Sequence, residues 1–243
     1  MTAADAPTRA RGSSLRELPF LVALALVIAL LVKTFLLQAF YIPSASMERT
    51  LHGCPGCRGD RVLVNKVVYN LRGVHRGEIV VFDVRGTDFE RDAPVEAPAS
   101  PVRSVVDRLT GVLGLGARGQ QDFIKRVIAL PGDRVACCSN GHVTVQAAGS
   151  GTPVELLEPY VFEDNQSPFC ASDPRQGIGC GPGSPGVLVP TGGLWVMGDH
   201  RNDSADSRVH GPVPREKVVG RAFAVVWPPA RVKGLNVPAL TQR

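Results

Sequence analysis

Aromatic residues are scarce in this 243-residue sequence, at 6% of the chain, whereas glycine and proline are plentiful, with 26 and 20 residues. This composition favours short strands and many turns over a bundle of helices. The sequence also lacks a cluster of lysine and arginine interleaved with aromatic residues, so nucleic acid is not an expected partner. The formal net charge of +5 would suit an anionic membrane surface and would equally suit an ordinary solvated face.

The motifs of three well-known hydrolase classes are absent. Ser46 is followed three positions later by Arg49 and no K-T-G element occurs, which excludes the pattern of penicillin-binding proteins and β-lactamases. No G-x-S-x-G motif occurs and no histidine lies in a recognisable catalytic setting, which argues against a Ser-His-Asp hydrolase. The zinc-protease motif H-E-x-x-H is missing as well. We expect the five histidines to be surface or packing residues: His52, His75, His142, His200 and His210.

A long apolar run extends from Pro19 to Phe40, and its roughly 22 residues would form a helix of about 33 Å. This length matches the hydrocarbon core of a bilayer, and Lys33 lies near one end, where its side chain could reach the headgroups. A cleavable signal peptide is the competing interpretation, because Ser44-Ala-Ser46 is similar to a small-residue cleavage site, but the run is longer than a usual signal-peptide core. The sequence therefore predicts a cytoplasmic tail over 1–18, a transmembrane helix over 19–40 and an extracytoplasmic domain over 41–243.

All six cysteines lie after the apolar run, at Cys54, Cys57, Cys137, Cys138, Cys170 and Cys180. An even number of cysteines in a domain rich in glycine and proline favours disulfides and an extracytoplasmic location. We expect the last two to pair with each other, because the residues between them are typical of a loop. The first four could instead form a four-thiolate zinc site, although a second C-x-x-C motif is missing.

Short apolar and β-branched runs, separated by turn residues, predict a mainly β domain without an alternating βαβ pattern. The segments 134–138 and 142–146 flank Ser-Asn-Gly, which is a hairpin signal. Apolar residues at helical spacing over 102–113, inside the first of two long loop insertions, 85–121 and 147–190, could contact lipid, but a short helix that covers the domain core is the favoured prediction. Strands are predicted over 61–71, 78–84, 123–130, 134–138, 142–146, 194–197 and 221–227.

Ser46 and Lys125 are the candidate catalytic residues. A serine hydroxyl is a poor nucleophile until a neighbouring base accepts its proton, and a neutral lysine can act as that base. An ordinary lysine, with a pKa of about 10.4, is charged near neutral pH, but burial among apolar groups lowers its pKa. Lys125 lies between Phe123 and Val127 in a predicted strand, so these three side chains would share one face.

Three sequence boxes around these residues resemble the ordered motifs of type I signal peptidases, a family of membrane-anchored serine–lysine peptidases. The first is IPSASMERTL over 42–51, the second is DFIKRVIALPGD over 122–133, and the third is GDHRNDSADSR over 198–208. A further element, GDRVLVNK over 59–66, is similar to a structural motif of that family. Two departures occur in the first box, where Ala45 replaces a usual glycine and Arg49 replaces a common proline. The alanine is compatible only if its φ is not positive.

The resemblance implies a role for each matching residue. Ser46 would be the nucleophile and Lys125 the general base. Ser44 would stabilise the oxyanion together with the Ser46 amide, and Ser204 would orient the lysine. Asp206 and Arg208 would form an ion pair that holds their loop. The shallow walls of the substrate site would include Phe40, Ile42, Pro43, Met47, Leu51, Phe123 and Ile124.

By the same resemblance, the substrates would be secreted preproteins that emerge from the secretion machinery and carry N-terminal signal peptides. Cleavage would follow an A-x-A type sequence through an acyl-enzyme, in contact with membrane lipid and without a metal or organic cofactor. The self-cleaving repressors share the serine–lysine chemistry, but they carry a DNA-binding module in place of an apolar segment. The non-enzymatic alternative is a membrane-tethered β domain that binds a partner in the cell wall or a secreted partner. The binding function of such a domain would tolerate the loss of Ser46 and Lys125.

Overall fold

The computed structural model describes residues 14–31, 36–93, 121–139, 142–163 and 186–238. Three α-helices occur in this part of the chain: α1 (Ser14–Leu31), α2 (Val68–Leu71) and α3 (Ser207–His210). The strands are β1 (Leu37–Tyr41), β2 (Arg61–Asn65), β3 (Ile79–Asp83), β4 (Asp122–Ala129), β5 (Arg134–Ser139), β6 (His142–Gln146), β7 (Val154–Glu155), β8 (Val187–Leu188), β9 (Gly193–Met197), β10 (Val213–Pro214), β11 (Val218–Trp227) and β12 (Lys233–Gly234).

The strands form two antiparallel sheets. The larger sheet has the order β1-β2-β11-β3-β4-β9-β10, with β12 paired to β11, and the smaller has the order β7-β6-β5-β8. The predicted hairpin is present as the β5–β6 pair, in which Val135 lies opposite Val145. The fold is therefore mainly β and antiparallel, as the composition and the short apolar runs predict.

Apolar strand residues build the core, either on one face of a strand or along nearly its whole length, as in β3 and β9. In β2, Val62 and Val64 are buried while Arg61 is exposed, which is the pattern of a strand with one face on the core. Phe40 of β1 lies opposite Val62 and packs into the same cluster. A second cluster lies against the smaller sheet around Trp195, and a third lies around Phe82 and its neighbours. The first cluster forms the floor beneath the segment that follows β1.

The predicted helix over 19–40 is not what the structure contains. Helix α1 ends at Leu31, and residues 37–41 form β1, paired with β2 over its whole length. Phe40, at this end of the run, is buried in the domain core, where it lies opposite Val62. Among the residues that the structure describes, no helix is both long and apolar enough to cross a bilayer, so the predicted transmembrane helix is not supported.

Three further sequence predictions need correction or lie outside the described residues. The strand predicted over 61–71 ends at Asn65, whose side chain accepts hydrogen bonds from the Val67 and Val68 amides and so begins the helical turn α2. Such a local side-chain-to-backbone bond competes with extension of the strand. The predicted helix over 102–113 and the predicted Cys170–Cys180 pair lie outside the described residues.

Candidate active site

Ser46 lies in a turn that leaves β1 and is anchored by buried apolar residues. Met47 and Leu51 are fully buried, and the Leu51 amide donates to the Met47 carbonyl at 2.8 Å. The Ile42 amide donates to the Asp60 carbonyl at 2.9 Å, which ties the beginning of the segment to the residue before β2. Ser46 itself is 7% exposed. The apolar anchors therefore hold the hydroxyl in one place at the edge of the core.

Lys125 reaches Ser46 from β4, which lies between β3 and β9 in the larger sheet. Its backbone is opposite Val80, and its side chain is 4% exposed. The Nζ atom donates a hydrogen bond to Ser46 Oγ at 2.7 Å and lies 5.7 Å from the centre of the Phe123 ring. The fold thus brings together two residues that are 79 positions apart in sequence.

Burial lowers the pKa of the Lys125 ammonium from 10.5 to about 8. The negative charge of Asp206 opposes this shift, while the positive charge of Arg208 adds to it. Desolvation dominates because an ammonium loses its hydration in a low-dielectric site. A substantial fraction of the lysine is therefore neutral at mildly alkaline pH. In that form, Nζ can accept the proton of the Ser46 hydroxyl.

Ser44 lies on the exposed side of the same segment. Its Oγ atom is 3.3 Å from Ser46 Oγ, so the two hydroxyls are neighbours. Ala45 lies between them, and Glu163 is the one non-glycine residue in the described ranges with a positive φ. The alanine that replaces a glycine in the first box therefore lies in a backbone conformation that it can adopt without strain.

Ser204, Asp206 and Arg208 meet in one buried network after β9. The Asp206 carboxylate accepts from Ser204 Oγ at 2.7 Å, from the Gly198 amide at 2.9 Å and from Arg208 Nε at 2.8 Å. Burial alone would raise the pKa of Asp206, but these donors hold it below its ordinary value. Among the hydrogen bonds of the described residues, none joins the Ser204 hydroxyl to Lys125. The hydroxyl donates to the carboxylate instead.

A second buried ion pair ties the nucleophile segment to the end of β9. Arg126, adjacent to Lys125, donates from Nε to Asp199 at 2.8 Å, and both side chains are almost completely buried. Asp199 also accepts from Thr50 Oγ1 at 2.5 Å, four residues after Ser46. The sequence motifs did not assign a role to these residues, although all three lie within the quoted boxes. The available sequence signal was a pair of opposite charges, Arg126 and Asp199, inside two of the quoted boxes.

Gly198 and His200 also contact the nucleophile segment. A Cβ atom at Gly198 would overlap both Ser204 Oγ and the Ser46 carbonyl oxygen, so only glycine allows this close approach. The His200 amide donates to the Ser46 carbonyl at 3.2 Å, and its ring Nδ1 lies 3.3 Å from the Ala45 carbonyl. These contacts fix the position of the backbone on both sides of Ser46. They were not expected from the sequence.

The predicted wall residues divide into three groups. Phe40, Ile42, Met47, Leu51 and Ile124 belong to the first core cluster. Phe123 packs on the third cluster, with its ring 6.3 Å from those of Phe82 and Phe89. Pro43 is exposed. The structure therefore places five of the seven in one core cluster, which includes part of the serine segment, and packs Phe123 on another cluster, with its ring 5.7 Å from Lys125 Nζ.

A cavity of about 550 Å³ lies away from the serine and the lysine, next to the short α3 helix. Its lining includes Thr87, Glu90 and His210. Because neither Ser46 nor Lys125 contributes to it, this cavity is not where a serine–lysine reaction would take place.

Cys54 and Cys57 form a disulfide, so the proposed four-thiolate zinc site is not formed by these two residues in this state.

Known proteins similar to this chain include signal peptidases. The family model for signal peptidase, peptidase S26, matches residues 15–227. Signal peptidase I of Mycobacterium tuberculosis (strain H37Rv) is 37% identical over 238 residues, which cover 93% of this chain and 77% of that protein. Probable signal peptidase I of Mycobacterium leprae is 36% identical over 244 residues, with 93% and 81% covered. The crystal structure of a signal peptidase I from Enterococcus faecalis V583 aligns over 62% of this chain and 97% of that chain at 20% identity, with a TM-score of 0.35.

The family match and the two mycobacterial relatives confirm the family that the sequence boxes predicted. The family match covers all four boxes, from the segment before β1 to the end of β11. The chain therefore belongs to the signal peptidase family, peptidase S26, and it is a serine peptidase.

Proposed function

We propose that this chain is a type I signal peptidase that removes N-terminal signal peptides from preproteins, with Ser46 as nucleophile and Lys125 as general base. The observation that carries the proposal is the buried hydrogen bond of 2.7 Å between Lys125 Nζ and Ser46 Oγ. A buried amine with a pKa of about 8 serves as a base where an ordinary lysine would remain charged.

The proposed reaction begins with transfer of the Ser46 proton to neutral Lys125. Ser46 Oγ attacks the scissile carbonyl, and the Ser44 hydroxyl with the Ser46 amide stabilises the resulting oxyanion. Lys125 then passes its proton to the leaving amine, which leaves an acyl-enzyme on Ser46. Water that Lys125 deprotonates releases the signal peptide and regenerates the serine. Position supports the role of Ser44, since its hydroxyl lies 3.3 Å from Ser46 Oγ on the exposed side.

Ser204, Asp206 and Arg208 support this reaction by fixing the loop next to Ser46 and by influencing the charge of Lys125. The ion pair of Asp206 and Arg208 fixes the loop against Gly198, whose Cα packs against the Ser46 carbonyl. The Asp206 charge favours the protonated lysine and therefore tempers the pKa shift caused by burial. Ser204 acts through Asp206 in this arrangement, because its hydroxyl donates to that carboxylate.

The substrate would bind as an extended strand, with small residues at the first and third positions before the cut. β1 pairs with β2 on one side, and its other edge has no strand partner among the described residues. An extended peptide could add to such an edge through main-chain hydrogen bonds. The segment with Ser46 follows β1 directly, over an apolar floor of Ile42, Met47 and Ile124. Because this floor lies so close to Ser46, it leaves room for small substrate side chains and not for large ones.

We also propose that the enzyme acts at a membrane, with the β domain on the extracytoplasmic side. The support is α1, whose apolar side chains are exposed from Leu18 to Ile28, with Phe20 at 69% and Leu26 at 65%. An apolar surface of this extent on a helix is costly in water and suits contact with lipid. Signal-peptide-bearing preproteins carry an apolar helix of their own, so the enzyme and its substrate would meet in the same lipid phase.

The decisive experiment compares the wild type with Ser46→Ala and Lys125→Ala in cleavage of a secretory preprotein in detergent or liposomes. Product termini are determined by mass spectrometry. We expect cleavage after a small residue by the wild type and none by either variant. Ser150→Ala and Lys233→Ala are matched controls, because both residues are exposed, and they should cleave like the wild type. Cleavage that survives in either active-site variant would reject this assignment. An inactive wild type would favour a binding function.

A further inference from the structure

We propose that His52, Cys54 and Cys57 form a metal site under redox control, which takes a thiophilic divalent cation such as Zn²⁺ when the disulfide is reduced. Among the described residues, this is the one group of three whose possible ligand atoms all lie within 4.8 Å of one another. Two sulfurs and an imidazole nitrogen are the donor types that Zn²⁺ prefers. The proposal does not depend on the peptidase function.

A tight turn presents the two sulfurs. In Cys54-Pro-Gly-Cys57, the Cys57 amide donates to the Cys54 carbonyl at 3.3 Å, and Gly56 has φ of 78°. Proline at the second position and a glycine with positive φ at the third are typical of a type II turn. The turn keeps the two Cα atoms 5.4 Å apart. The C-x-x-C spacing is also the one found in structural zinc sites, so the same turn suits a disulfide and a pair of metal-bound thiolates.

The orientation of His52 completes the donor set. Its Nδ1 is 2.5 Å from the Glu48 carboxylate, and its Nε2 is 3.8 Å from Cys57 Sγ. The carboxylate accepts the Nδ1 proton, which leaves the lone pair of Nε2 directed toward the sulfurs. Metal-binding histidines typically donate their second nitrogen to a carboxylate in this way. Glu48 also accepts from the Gly53 amide at 3.2 Å, so its own position is fixed.

The surrounding backbone holds both ends of the cluster independently of the disulfide. The Asp60 carboxylate accepts from the His52 amide at 2.9 Å and from Arg231 Nε at 2.7 Å. Tyr41 donates to the Cys57 carbonyl at 2.9 Å from the end of β1. A Cβ atom at Gly59 would overlap the Ile42 carbonyl oxygen, so the chain is closely packed here. Opening the disulfide therefore leaves the three donors near their present positions.

The two states interconvert through a balanced exchange. An external dithiol supplies two electrons and two protons, the bond between Cys54 and Cys57 breaks, and the dithiol becomes a disulfide. Zn²⁺ then displaces the two thiol protons and binds two thiolates and His52 Nε2. Three protein ligands leave the fourth tetrahedral position to water. An external disulfide reverses the process: it accepts two electrons from the thiolates and, with two protons from water, becomes a dithiol, while the bond between Cys54 and Cys57 forms again and the cation is released.

The test measures Zn²⁺ and Co²⁺ binding to the purified full chain. The protein is reduced anaerobically with a phosphine, which takes its oxygen from water, and the reagent is removed before metal is added. Competition with a chromophoric chelator gives the affinity for Zn²⁺, and thiolate-to-Co²⁺ charge-transfer absorption reports sulfur ligation. We expect the reduced protein to show both signals and the oxidised protein to show neither.

Variants assign the ligands. The double variant Cys54→Ser with Cys57→Ser should lose the charge-transfer bands, and His52→Asn should bind Zn²⁺ at least about 10-fold more weakly. Glu48→Gln, which disturbs only the carboxylate behind the histidine, should weaken binding roughly 10- to 100-fold. His142→Asn is the matched control, because that histidine is exposed on β6 away from the cluster, and it should bind like the wild type.

The four other cysteines require their own control. A variant with serine at 137, 138, 170 and 180 retains only the proposed thiolates and should keep the charge-transfer bands. Equal metal binding by the Cys54/Cys57 double variant and the wild type would overturn the proposal. Binding by the oxidised protein as tight as by the reduced protein, or no binding by the reduced wild type, would also overturn it. If the double variant fails to fold, comparison of His52→Asn with His142→Asn decides the question.

Discussion

At the scale of single residues, the titration of Lys125 governs the expected pH dependence. Its pKa is about 8 because the ammonium is buried, and only the neutral amine accepts the serine proton. We expect kcat/KM for preprotein cleavage to rise with pH through about 8 and then to level off. The measurement is a rate profile between about pH 6 and about pH 10. A profile that is flat across that range would contradict a titrating lysine base.

The same residue should lower stability while it enables activity. Its pKa in the folded protein lies below 10.5, so between about pH 8 and 10.5 the unfolded chain binds more protons. The free energy of unfolding therefore rises with pH across that window. Below about pH 8 the lysine is charged in both states, so the folded protein bears the full cost of the buried ammonium. We expect Lys125→Met to abolish cleavage and to raise the free energy of unfolding at neutral pH by about 2 kcal/mol, after the lost hydrogen bond to Ser46 is deducted. Urea denaturation checks this, and the gain should shrink near about pH 10.

At the scale of elements, the loop after β9 should influence the lysine through charge. Asp206 raises the pKa of Lys125, so Asp206→Asn should move the midpoint of the rate profile to lower pH. The substitution also leaves the Arg208 guanidinium buried without its carboxylate, which costs about 3–5 kcal/mol. Ser204→Ala is the milder comparison, because it removes one donor and no charge. A midpoint unchanged in a folded Asp206→Asn protein would contradict this coupling.

The close approach of β9 to the nucleophile segment makes a second prediction at this scale. Gly198→Ala places a methyl group in overlap with Ser204 Oγ and the Ser46 carbonyl oxygen, so one of the two segments must move. Such a displacement at a reacting group costs on the order of 100-fold in rate. Gly73→Ala is the matched control, since its Cβ would meet no atom within 4 Å. Cleavage rates and melting temperatures of both variants provide the measurement.

Strand prediction worked where apolar residues alternate or form a continuous run, and it failed where a local contact ends the strand. β3, β4, β9 and the β5–β6 hairpin follow their apolar patterns closely. The segment after β2 becomes helical because the Asn65 side chain accepts two backbone hydrogen bonds. The apolar run before Ser46 divides between α1 and β1 because Phe40 finds its partners in the core. Hydrophobicity alone does not distinguish an apolar residue in lipid from one in a protein core.

At the scale of the whole molecule, α1 should determine attachment to lipid. Its exposed apolar surface includes Leu21, Leu24 and Ile28. We expect replacement of these three by Asn to abolish co-flotation with liposomes, while cleavage of a short soluble peptide stays near the wild-type rate. This result would separate membrane attachment from catalysis. Unchanged co-flotation would show that another surface binds lipid.

The sequence by itself determined the residue types and their order in the boxes, and from these the family and the two candidate catalytic residues follow. This was possible because a serine hydroxyl needs a neighbouring base to act as a nucleophile, and few residue types can act as that base. Only the tertiary structure decided which side chains meet. It placed Ser204 on Asp206, packed Phe123 on a different core cluster from the buried wall residues, and joined Thr50, Arg126 and Asp199. These contacts depend on which strands far apart in the chain become neighbours in the sheet, and that pairing is set by burial across the whole domain and not within any one segment.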